Sequence, residues 1–510
     1  MALSRIAITL SILLTLKWVI GIPVIVNRDI DDYWSKRANF IREEESVAFG
    51  GDVPLQKNEF LMNYTLMSAK FMEIDEGFAD QGKFLPRSNF LRVKNEIEKS
   101  KVFQIIKKMP KGAILHAHDL GLLSLNYVLT NVTYRDNLYA CEKNGQLKLM
   151  FFKQPNKDCK WKLLSKLRQN STKASEINKR IQRQMSMVTK HPKYPDGDKA
   201  WIKFQSIFEF LFPFLTYKPV FEDYYYHCLQ EIYDDKVLYL ELRTILPDLF
   251  DLDGRVYKKS EVMQILKDVT DRFTATHQDF IGAKIIYAPT RRVDLNQLKE
   301  YLENARQLKK DFPSFLAGFD LVGQEDKGGL LIDFADQLQI LGKDIPFFFH
   351  AGETDWYGLS TDQNLIDAIL LNTKRIGHGY ALLKHPKVME LVKEKNIAIE
   401  INPISNQVLS LVGDMRNHPA TFLFAENYPV VVSCDDPGLW GARALSYDFY
   451  EAFMGLMARS SDLRALKKLA LNSIAFSMMT DDEKSSAFLS FEKQWQQFLQ
   501  VSENGHVYEL

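Results

Sequence analysis

The chain has 510 residues, of which 46% are hydrophobic and 25% are charged. This composition supports a large buried core and excludes an intrinsically disordered protein. Lys plus Arg and Asp plus Glu each total 65, so no net charge attracts the chain to nucleic acid or to an anionic membrane, and we expect no nucleic-acid partner.

Residues 1–21 predict a secretory signal peptide. Arg5 precedes an apolar run from Ile6 to Ile20, and the segment ends on a small residue, Gly21, as a cleavage site requires. An uncleaved membrane anchor is the alternative, but the run is shorter than the roughly 20 apolar residues of a spanning helix, and Lys17 lies inside it. We therefore expect cleavage after Gly21, an extracellular protein and no membrane span.

Three Asn-X-Ser/Thr sequons agree with secretion, because such triplets accept N-linked glycans in secreted proteins. They begin at Asn63, Asn131 and Asn170. Residues 22–110, which contain the first sequon, predict an N-terminal extension that is mostly helical, with helical patterns from Phe60 to Met72 and from Asn89 to Lys108.

From residue 111 to 510, short apolar runs typical of β-strands alternate with longer helical patterns, as in βα units. The runs are Ala113 to His116, Val237 to Leu242, Ile281 to Tyr287, Phe315 to Leu321, Ile345 to His350, Arg375 to His378, Ile397 to Ile401 and Val430 to Cys434. They predict an α/β fold, a (β/α)8 TIM barrel, whose active site lies at the C-terminal ends of its strands. A doubly wound open sheet is the alternative, but the Gly-rich phosphate loop that it would need does not follow the first strand.

Residues 129–195, between the first and second strands, predict an insert in the barrel. Nine Lys and Arg side chains lie between positions 157 and 183, against only Asp158 and Glu176. A cell-surface receptor or a sulfated glycosaminoglycan is a candidate partner for this basic stretch, and a solvated surface is the alternative.

The four cysteines divide into two pairs. Cys141 and Cys159 are close together in the polar insert, so we expect them to form a disulfide in an oxidising compartment. Cys228 and Cys434 lie in apolar surroundings and are expected to be buried free thiols, with a bridge between them as the alternative.

Four residues at predicted strand ends indicate a zinc site. His116 and His118 are two apart, so both can face the same side of a strand. His350 ends another strand, and Asp435 follows the last one. Three imidazoles and one carboxylate leave one position of Zn²⁺ open for water, as in catalytic sites. Each residue alone has a plain alternative, a core histidine or a turn aspartate; their joint position at strand ends favours the metal.

Three further residues near these ligands suit hydrolytic chemistry. Glu353, three residues after His350, is placed to move a proton between water and substrate. His378, between Gly377 and Gly379, can orient or deprotonate the water. Asp436 can bond an NH group or a ring nitrogen of the substrate.

The motifs resemble the adenosine deaminases, specifically the secreted adenosine deaminase-related growth factor branch, from about residue 30 to the end. They are Phe319-Asp320-Leu321-Val322-Gly323, His350-Ala351-Gly352-Glu353-Thr354-Asp355-Trp356, Arg375-Ile376-Gly377-His378-Gly379, Asn402-Pro403-Ile404-Ser405-Asn406-Gln407 and Leu445-Ser446-Tyr447-Asp448-Phe449-Tyr450-Glu451. The His-X-Glu and Pro-Cys-X-X-Cys signature of the cytidine deaminases is excluded, since the chain has neither Pro-Cys nor Cys-X-X-Cys.

The resemblance implies roles for individual residues. It implies one Zn²⁺ per subunit on His116, His118, His350 and Asp435, proton transfer by Glu353 and orientation of water by His378. It further implies purine contacts from Gly323 and Asp436, ribose contacts from Asp119 and Trp201, and a place for Trp356 in the pocket wall. It also implies a homodimer formed through the N-terminal extension and an insert that binds cell surfaces.

The function expected from this resemblance is zinc-dependent hydrolysis of a cyclic amidine C–N bond: adenosine, and also 2′-deoxyadenosine, would give inosine and ammonia. This would lower extracellular adenosine signalling, with growth-factor activity as an additional role. A non-catalytic growth factor that uses the barrel as a scaffold is one alternative, and a related amidohydrolase acting on another purine is a second. Thr290 stands where vertebrate members have a histidine near the ribose, so the preference between the two nucleosides stays open.

Overall fold

A computed structural model describes residues 28–188, 194 and 196–503, so the predicted signal peptide lies outside the described residues. The chain divides into two units, Met1–Val47 and Ala48–Leu510. In the first, residues Arg28–Val47 form helix α1. The second contains the remaining elements and both predicted regions of interest, the barrel and its insert.

Three α-helices lie in the first part of the second unit, within residues 22–110, for which the sequence predicted a mostly helical extension. These are α2 (Phe60–Ala79), α3 (Phe90–Ile97) and α4 (Lys101–Lys108). The run from Asn89 to Lys108 is two helices because Ser100 caps the second one, its Oγ accepting the Phe103 N–H at 3.1 Å.

Helix α2 is fixed to the C-terminal part of the chain by buried polar contacts. Lys70, with no exposed surface, donates from Nζ to the carbonyls of Ala458 and Ser461, each at 2.8 Å. Its ammonium also lies 3.8 Å from the centre of the Phe453 ring. Burial lowers the pKa of Lys70 from 10.5 to about 7, because the negative charge of Asp462 offsets only part of the loss of water.

The first barrel strand, β1 (Gly112–His118), leads into the insert. After α5 (Asp119–Leu122) and α6 (Leu125–Thr130), the strands β2 (Leu138–Lys143), β3 (Gln146–Phe151) and β4 (Lys162–Leu163) form an antiparallel sheet in the order β3-β2-β4. Asn144 and Gly145, both with positive φ, make the tight β2–β3 turn. Helices α7 (Leu164–Leu167) and α8 (Ser171–Gln184) follow.

The predicted cysteine chemistry is confirmed. A disulfide joins Cys141 on β2 to Cys159, and Cys228 and Cys434 are buried free thiols. Of the basic residues of the insert, Arg168 is structural: it donates to Thr133 and Asn178 and stacks over Tyr134.

The chain then returns to the barrel with alternating strands and helices. These are α9 (Gly197–Leu215), α10 (Lys218–Asp234), β5 (Val237–Thr244), β6 (Leu249–Phe250), β7 (Val256–Tyr257), α11 (Lys259–Thr276), β8 (Gly282–Tyr287), α12 (Leu295–Asp311), β9 (Leu316–Phe319), α13 (Ala335–Leu341), β10 (His350–Ala351), α14 (Asn364–Leu370), β11 (Arg375–His378), α15 (Pro386–Glu394), β12 (Ala398–Ile401), α16 (Pro403–Val408), α17 (Ala420–Ala425), β13 (Val430–Val432), α18 (Ser446–Glu451), α19 (Leu463–Ala475) and α20 (Asp481–Glu503).

Eight parallel strands close into the predicted barrel. One half has the order β1-β5-β8-β9 and the other β10-β11-β12-β13. Two parallel bridges join the halves, Phe319 with Phe347 and Ala117 with Asp435. At the second bridge the His118 N–H donates to Asp435 O and the Asp435 N–H to His116 O, both at 3.0 Å. The bonds that close the barrel therefore also bring three of the predicted metal ligands together.

Strand β10 is shorter than the predicted run from Ile345 to His350. Pro346 has no N–H to donate, and Phe347 forms an isolated bridge with Phe319, while its carbonyl accepts the Lys374 N–H at 2.8 Å. Regular pairing therefore begins at His350, which aligns with Gly377 of β11. Among the helices that the structure describes, none is long and apolar enough to cross a membrane.

We predict that Lys70 makes the stability of the protein depend on pH. Its folded pKa of about 7 is below its ordinary value of 10.5, so between these values the unfolded chain binds more protons and the free energy of unfolding rises with pH. The slope from one such group approaches about 1.4 kcal/mol per pH unit. Lys70→Met should remove this contribution, as measured by denaturant unfolding at pH 7, 8 and 9.

Lys83→Met is the matched control, because Lys83 is 59% exposed and its charge is solvated in both states. An equal pH slope in wild type and Lys70→Met would contradict the prediction.

Candidate metal centre and active site

The four predicted metal ligands converge at the C-terminal end of the barrel. His116 and His118 end β1, His350 begins β10, and Asp435 follows β13. One ligand atom from each residue lies within 4.8 Å of the others. Asp435 Oδ1 is 3.4 Å from His116 Nε2 and 3.1 Å from His118 Nε2. The distances suit a cluster arranged around a common centre.

Two features of the cluster fit a bound cation. Among the described residues, His116 Nε2 is buried without a hydrogen-bond partner, which would be costly unless a metal used its lone pair. Burial also lowers the pKa of His350 to about 3, so this imidazole is neutral and able to coordinate. Three imidazoles and a carboxylate form a donor set that Zn²⁺ takes.

Buried carboxylates orient two of the histidines. Glu400 Oε2 lies 2.8 Å from His116 Nδ1, and Asp320 Oδ2 lies 2.7 Å from His350 Nδ1. Each carboxylate accepts the Nδ1–H of its histidine and leaves Nε2 facing the centre of the cluster. Asp320 Oδ1 also accepts the backbone N–H of His350 at 3.0 Å.

Two buried guanidinium groups hold these carboxylates. Arg243 donates to Asp320 at 2.9 Å and to Glu400 at 2.7 Å, and Arg375 donates to Glu400 at 2.6 Å. Burial alone would raise the pKa of Glu400, but the two arginines hold it well below its ordinary value. Glu400 is therefore ionised and bonds two arginines and one histidine at once.

Glu353 lies beside this cluster on a turn whose backbone is held by a buried carboxylate, Glu325. Both oxygens of the buried Glu325 carboxylate accept backbone N–H groups of this turn, from Gly352 at 2.9 Å and from Glu353 at 2.7 Å. Gly352 has a φ of +74°, which suits glycine. Burial, with the nearby charges of Asp435 and Glu325, raises the pKa of Glu353 well above its ordinary value. The raised pKa favours the protonated carboxyl group, the form that can donate a proton.

His378 and Asp435 both adopt left-handed backbone, with φ of 61° and 58°. Non-glycine residues in this region are strained, and such strain is typical of functional sites. His378 Nδ1 lies 3.6 Å from Glu353 Oε1, and Nε2 lies 3.8 Å from Asp435 Oδ2. The unusual backbone turns both side chains towards the same cavity.

A cavity of about 290 Å³ opens over the cluster. Glu353, His378 and three of the four metal ligands line it, together with Asp119, Thr290, Gly323 and Asp436. The apolar lining residues are Leu120, Trp201, Phe204, Phe208, Phe212, Ile245, Val322 and Leu409. The size and the mixed lining suit a small, flat, partly polar molecule.

The structure thus brings four of the five predicted substrate residues to the cavity, but it places Trp356 outside. The indole is 56% exposed and does not line the cavity. Lys384 Nζ donates to the carbonyls of Asp355 and Trp356, at 2.6 and 3.0 Å, and so fixes this loop. The expectation that Trp356 lines the pocket therefore does not hold for the conformation described here.

Several residues that position the site had no assigned role in the sequence. They are Arg243, Asp320, Glu325, Arg375, Glu400, Asn406 and His418. The sequence could have indicated a structural role for Arg243, Arg375 and Glu400, because a charged residue inside an apolar barrel strand must have a buried partner. Sequence alone did not say which partner.

Two family models match this chain, one in its N-terminal segment and one over most of the rest. The model described as Adenosine deaminase matches residues 173–491, and the model described as Adenosine/AMP deaminase N-terminal matches residues 14–106. An adenosine deaminase of Phlebotomus duboscqi is 46% identical over 484 residues, 93% of each chain. Adenosine deaminase 2 of Homo sapiens is 42% identical, covering 91% of this chain and 92% of its own.

Solved structures support the fold. The N6-methyl-AMP deaminase of Arabidopsis thaliana aligns with a TM-score of 0.55 at 18% identity, over 77% of this chain and 98% of its own. An adenine deaminase of Arthrobacter aurescens aligns with a TM-score of 0.52 at 18% identity, over 75% and 98%. At this identity the likeness concerns the barrel and not the substrate.

We predict that Gly121→Ala disables the site by moving Asp436. A Cβ at position 121 would lie 1.8 Å from Asp436 Oδ1 and 2.6 Å from its Cγ, so the carboxyl group must leave its place. We expect kcat/KM of the enzyme for its substrate to fall at least about 10-fold, because misplaced contacts cost positioning. Steady-state kinetics measure the effect.

Gly413→Ala is the control, since a Cβ there meets nothing within 4 Å. If both variants kept wild-type kcat/KM, the proposed importance of Asp436 would be lost.

Proposed function

Because the chain belongs to the adenosine deaminase family, we propose that it hydrolyses adenosine, and also 2′-deoxyadenosine, to inosine and ammonia. It is a deaminase of the hydrolase class. The observation that carries the choice of reaction is the position of the buried Glu353 carboxyl group, whose pKa is raised well above its ordinary value by burial and by the charge of Asp435, beside the histidine–aspartate cluster in one nucleoside-sized cavity. A Lewis acid and a proton donor on one side of a purine are the two requirements for hydrolysis at C6.

The metal in this proposal is one Zn²⁺ per subunit, held by His116, His118, His350 and Asp435. When bound, zinc supplies Lewis-acid chemistry that makes hydroxide available near pH 7. The three-histidine, one-carboxylate donor set and the orphaned His116 Nε2 support zinc.

The side chains around the cavity have separate tasks in the reaction. Glu353 donates its proton to purine N1 while water adds at C6, and the proton that the water loses restores the Glu353 carboxyl group. The remaining hydroxyl proton at C6 then moves to the amino group, which leaves as ammonia while the C6 carbonyl forms. Burial and the neighbouring Asp435 charge raise the pKa of Asp436 well above its ordinary value, so its carboxyl group can donate to a ring nitrogen. Gly323 presents backbone to the ring, and Asp119 with Trp201 bounds the space for the ribose.

The cavity favours a nucleoside over a nucleotide. Apart from the histidines, Arg243 is the one cationic side chain among the described lining residues, and its guanidinium already bonds Asp320 and Glu400. Asp119, Glu353, Asp435 and Asp436 line the same space. A 5′-phosphate would therefore find carboxyl groups and no free cation.

We expect kcat/KM for adenosine monophosphate to be lower than that for adenosine by at least about 100-fold, since an unpaired phosphate is rejected by several kcal/mol. Steady-state assays with adenosine, its monophosphate, adenine and guanine measure the order. A preference for the monophosphate, or for another purine, would contradict adenosine as the substrate.

We further predict that Glu353→Gln lowers kcat by at least about 1,000-fold, because the amide cannot supply the proton and general acids contribute roughly 100- to 10,000-fold. Zinc content, measured by mass spectrometry, should stay at one ion per subunit, since Glu353 is not a ligand in the proposed set.

Asp355→Asn is the matched control, because this exposed carboxylate lies two residues away on the same loop. Wild-type turnover in Glu353→Gln would refute its role as the proton donor. Zinc without turnover in the wild type would refute the deaminase itself and favour the scaffold alternative.

The proposed place of action is outside the cell, after removal of residues 1–21. The Cys141–Cys159 disulfide supports this, because such bonds persist in oxidising compartments. Asn131 and Asn170 are exposed, as glycan acceptors must be, and Asn63 is half-buried with its Oδ1 accepting the Leu463 N–H at 3.0 Å. There the enzyme would lower extracellular adenosine and its signalling.

Two partners complete the proposal. A second copy would bind through the extension at residues 22–110, where α2 exposes the large apolar side chains Phe60, Tyr64, Met72 and Phe78. The insert at 129–195 would bind a cell-surface receptor or a glycosaminoglycan, since eight of its nine Lys and Arg side chains between 157 and 183 are exposed. Growth-factor activity would act through this insert, in addition to catalysis.

A further inference from the structure

The part that His378 plays depends on which of its ring nitrogens carries the proton. An imidazole with Nε2–H donates a hydrogen bond into the cavity, whereas a bare Nε2 accepts one and can remove a proton. The sequence left both options open. Three buried residues behind His378 decide between them: Ala420, His418 and Asn406.

The decision begins at a backbone amide, which can only donate. The N–H of Ala420 donates to Nδ1 of His418 at 3.0 Å, so this nitrogen carries a lone pair. His418 is 1% exposed, and burial lowers its pKa to about 3. The ring is therefore neutral, and its proton is on Nε2.

The proton on His418 fixes the orientation of an amide. His418 Nε2 lies 2.9 Å from Asn406 Oδ1, which must accept because the nitrogen donates. The other amide atom, Asn406 Nδ2, then faces His378 and lies 2.9 Å from its Nδ1. Three backbone bonds also hold Asn406: its N–H donates to Asn402 O, and its carbonyl accepts from the N–H groups of Leu411 and Val412.

An amide nitrogen donates, so Nδ1 of His378 must accept. The ring proton is then on Nε2, the nitrogen on the Asp435 side. The Asn402 amide does not fix this nitrogen, because its Nδ2 lies 3.5 Å both from His378 Nε2 and from the Glu400 carbonyl, at the limit of a hydrogen bond. The assignment therefore depends on the shorter contacts of Asn406 and His418.

We propose that His418 and Asn406 are positioning residues that hold His378 in the Nε2–H form, so that His378 donates a hydrogen bond into the cavity and does not act as a base. The assignment of His378 to the reaction rests on the proposed function. The position of its proton is a property of the fold and can be measured without substrate. Proton transfer to the purine then falls to Glu353.

The direct test is the protonation of His378 in the wild-type protein. Protein labelled with ¹⁵N-histidine is studied by solid-state NMR, both metal-free and zinc-loaded, and the His378 signals are identified by their absence in His378→Gln. We expect a protonated Nε2 and an unprotonated Nδ1 in both samples. A protonated Nδ1 with a bare Nε2 would overturn the proposal.

Two variants of His418 separate positioning from packing. His418→Gln keeps a donor for Asn406 Oδ1 and should retain kcat within about 3-fold. His418→Leu fills the space but lets the Asn406 amide turn, so kcat should fall about 10- to 100-fold, the scale of a lost general acid–base contact. KM should stay within about 2-fold, and zinc content should not change. In the NMR spectrum of His418→Leu, a population with protonated Nδ1 should appear.

The outcomes are distinguishable. Equal kcat in His418→Leu and wild type, with unchanged His378 signals, would overturn the positioning role. A wild type that binds zinc but deaminates no purine would overturn the proposed function, while its NMR spectrum would still decide the His378 proton. If His418→Leu does not fold, the wild-type spectrum alone makes that decision.

Discussion

The ionised carboxylate of Glu400 is the contact on which the site depends. It accepts from Arg243, Arg375 and His116, which belong to strands β5, β11 and β1. Arg375 continues the network by donating to Glu241 on β5 at 2.6 Å. All of these groups are at most 1% exposed, so removing Glu400 would take a buried partner from both arginines at once, at a cost of several kcal/mol. The network therefore fixes strands from both halves of the barrel and, through His116 Nδ1, the orientation of a metal ligand.

This arrangement also explains why strained backbone persists at the mouth of the barrel. The left-handed conformation of His378 and Asp435 costs on the order of 1–3 kcal/mol each. Asp435 is held by the two backbone bonds that close the barrel against β1. His378 is flanked by glycines, and a Cβ on Gly377 would lie only 3.1 Å from Cε1 of His116. The buried Glu400 network and the close contact between Gly377 and His116 leave few other conformations for these side chains.

The sequence predicted correctly those features that depend on local, periodic patterns of residues. Eight apolar runs gave the strands within a few residues, and chemically distinctive residues at their ends gave the metal cluster and Glu353. The pairing of Cys141 with Cys159 followed from their spacing and compartment. The sequence could not show which distant segments of the chain contact each other. The partners Asp320 and His350 are separated by 30 positions, and Arg375 and Glu241 by 134. Trp356 fails for a related reason, since the position of a loop depends on a distant anchor, Lys384.

Asp435 and Asp436 illustrate how neighbouring residues of one type acquire opposite tasks. Burial would raise both pKa values, but the adjacent His116 and His118 hold the pKa of Asp435 well below its ordinary value. Its negative charge then adds to burial in raising the pKa of Asp436. Such a pair shares its titration, with one member ionised and the other protonated. The left-handed turn at Asp435 leaves Asp436 Oδ1 buried beside Gly121, without a hydrogen-bond partner among the described residues. The ionised carboxylate is thus available to a metal and the protonated one to a purine nitrogen, so a single dipeptide can serve both halves of a deamination site.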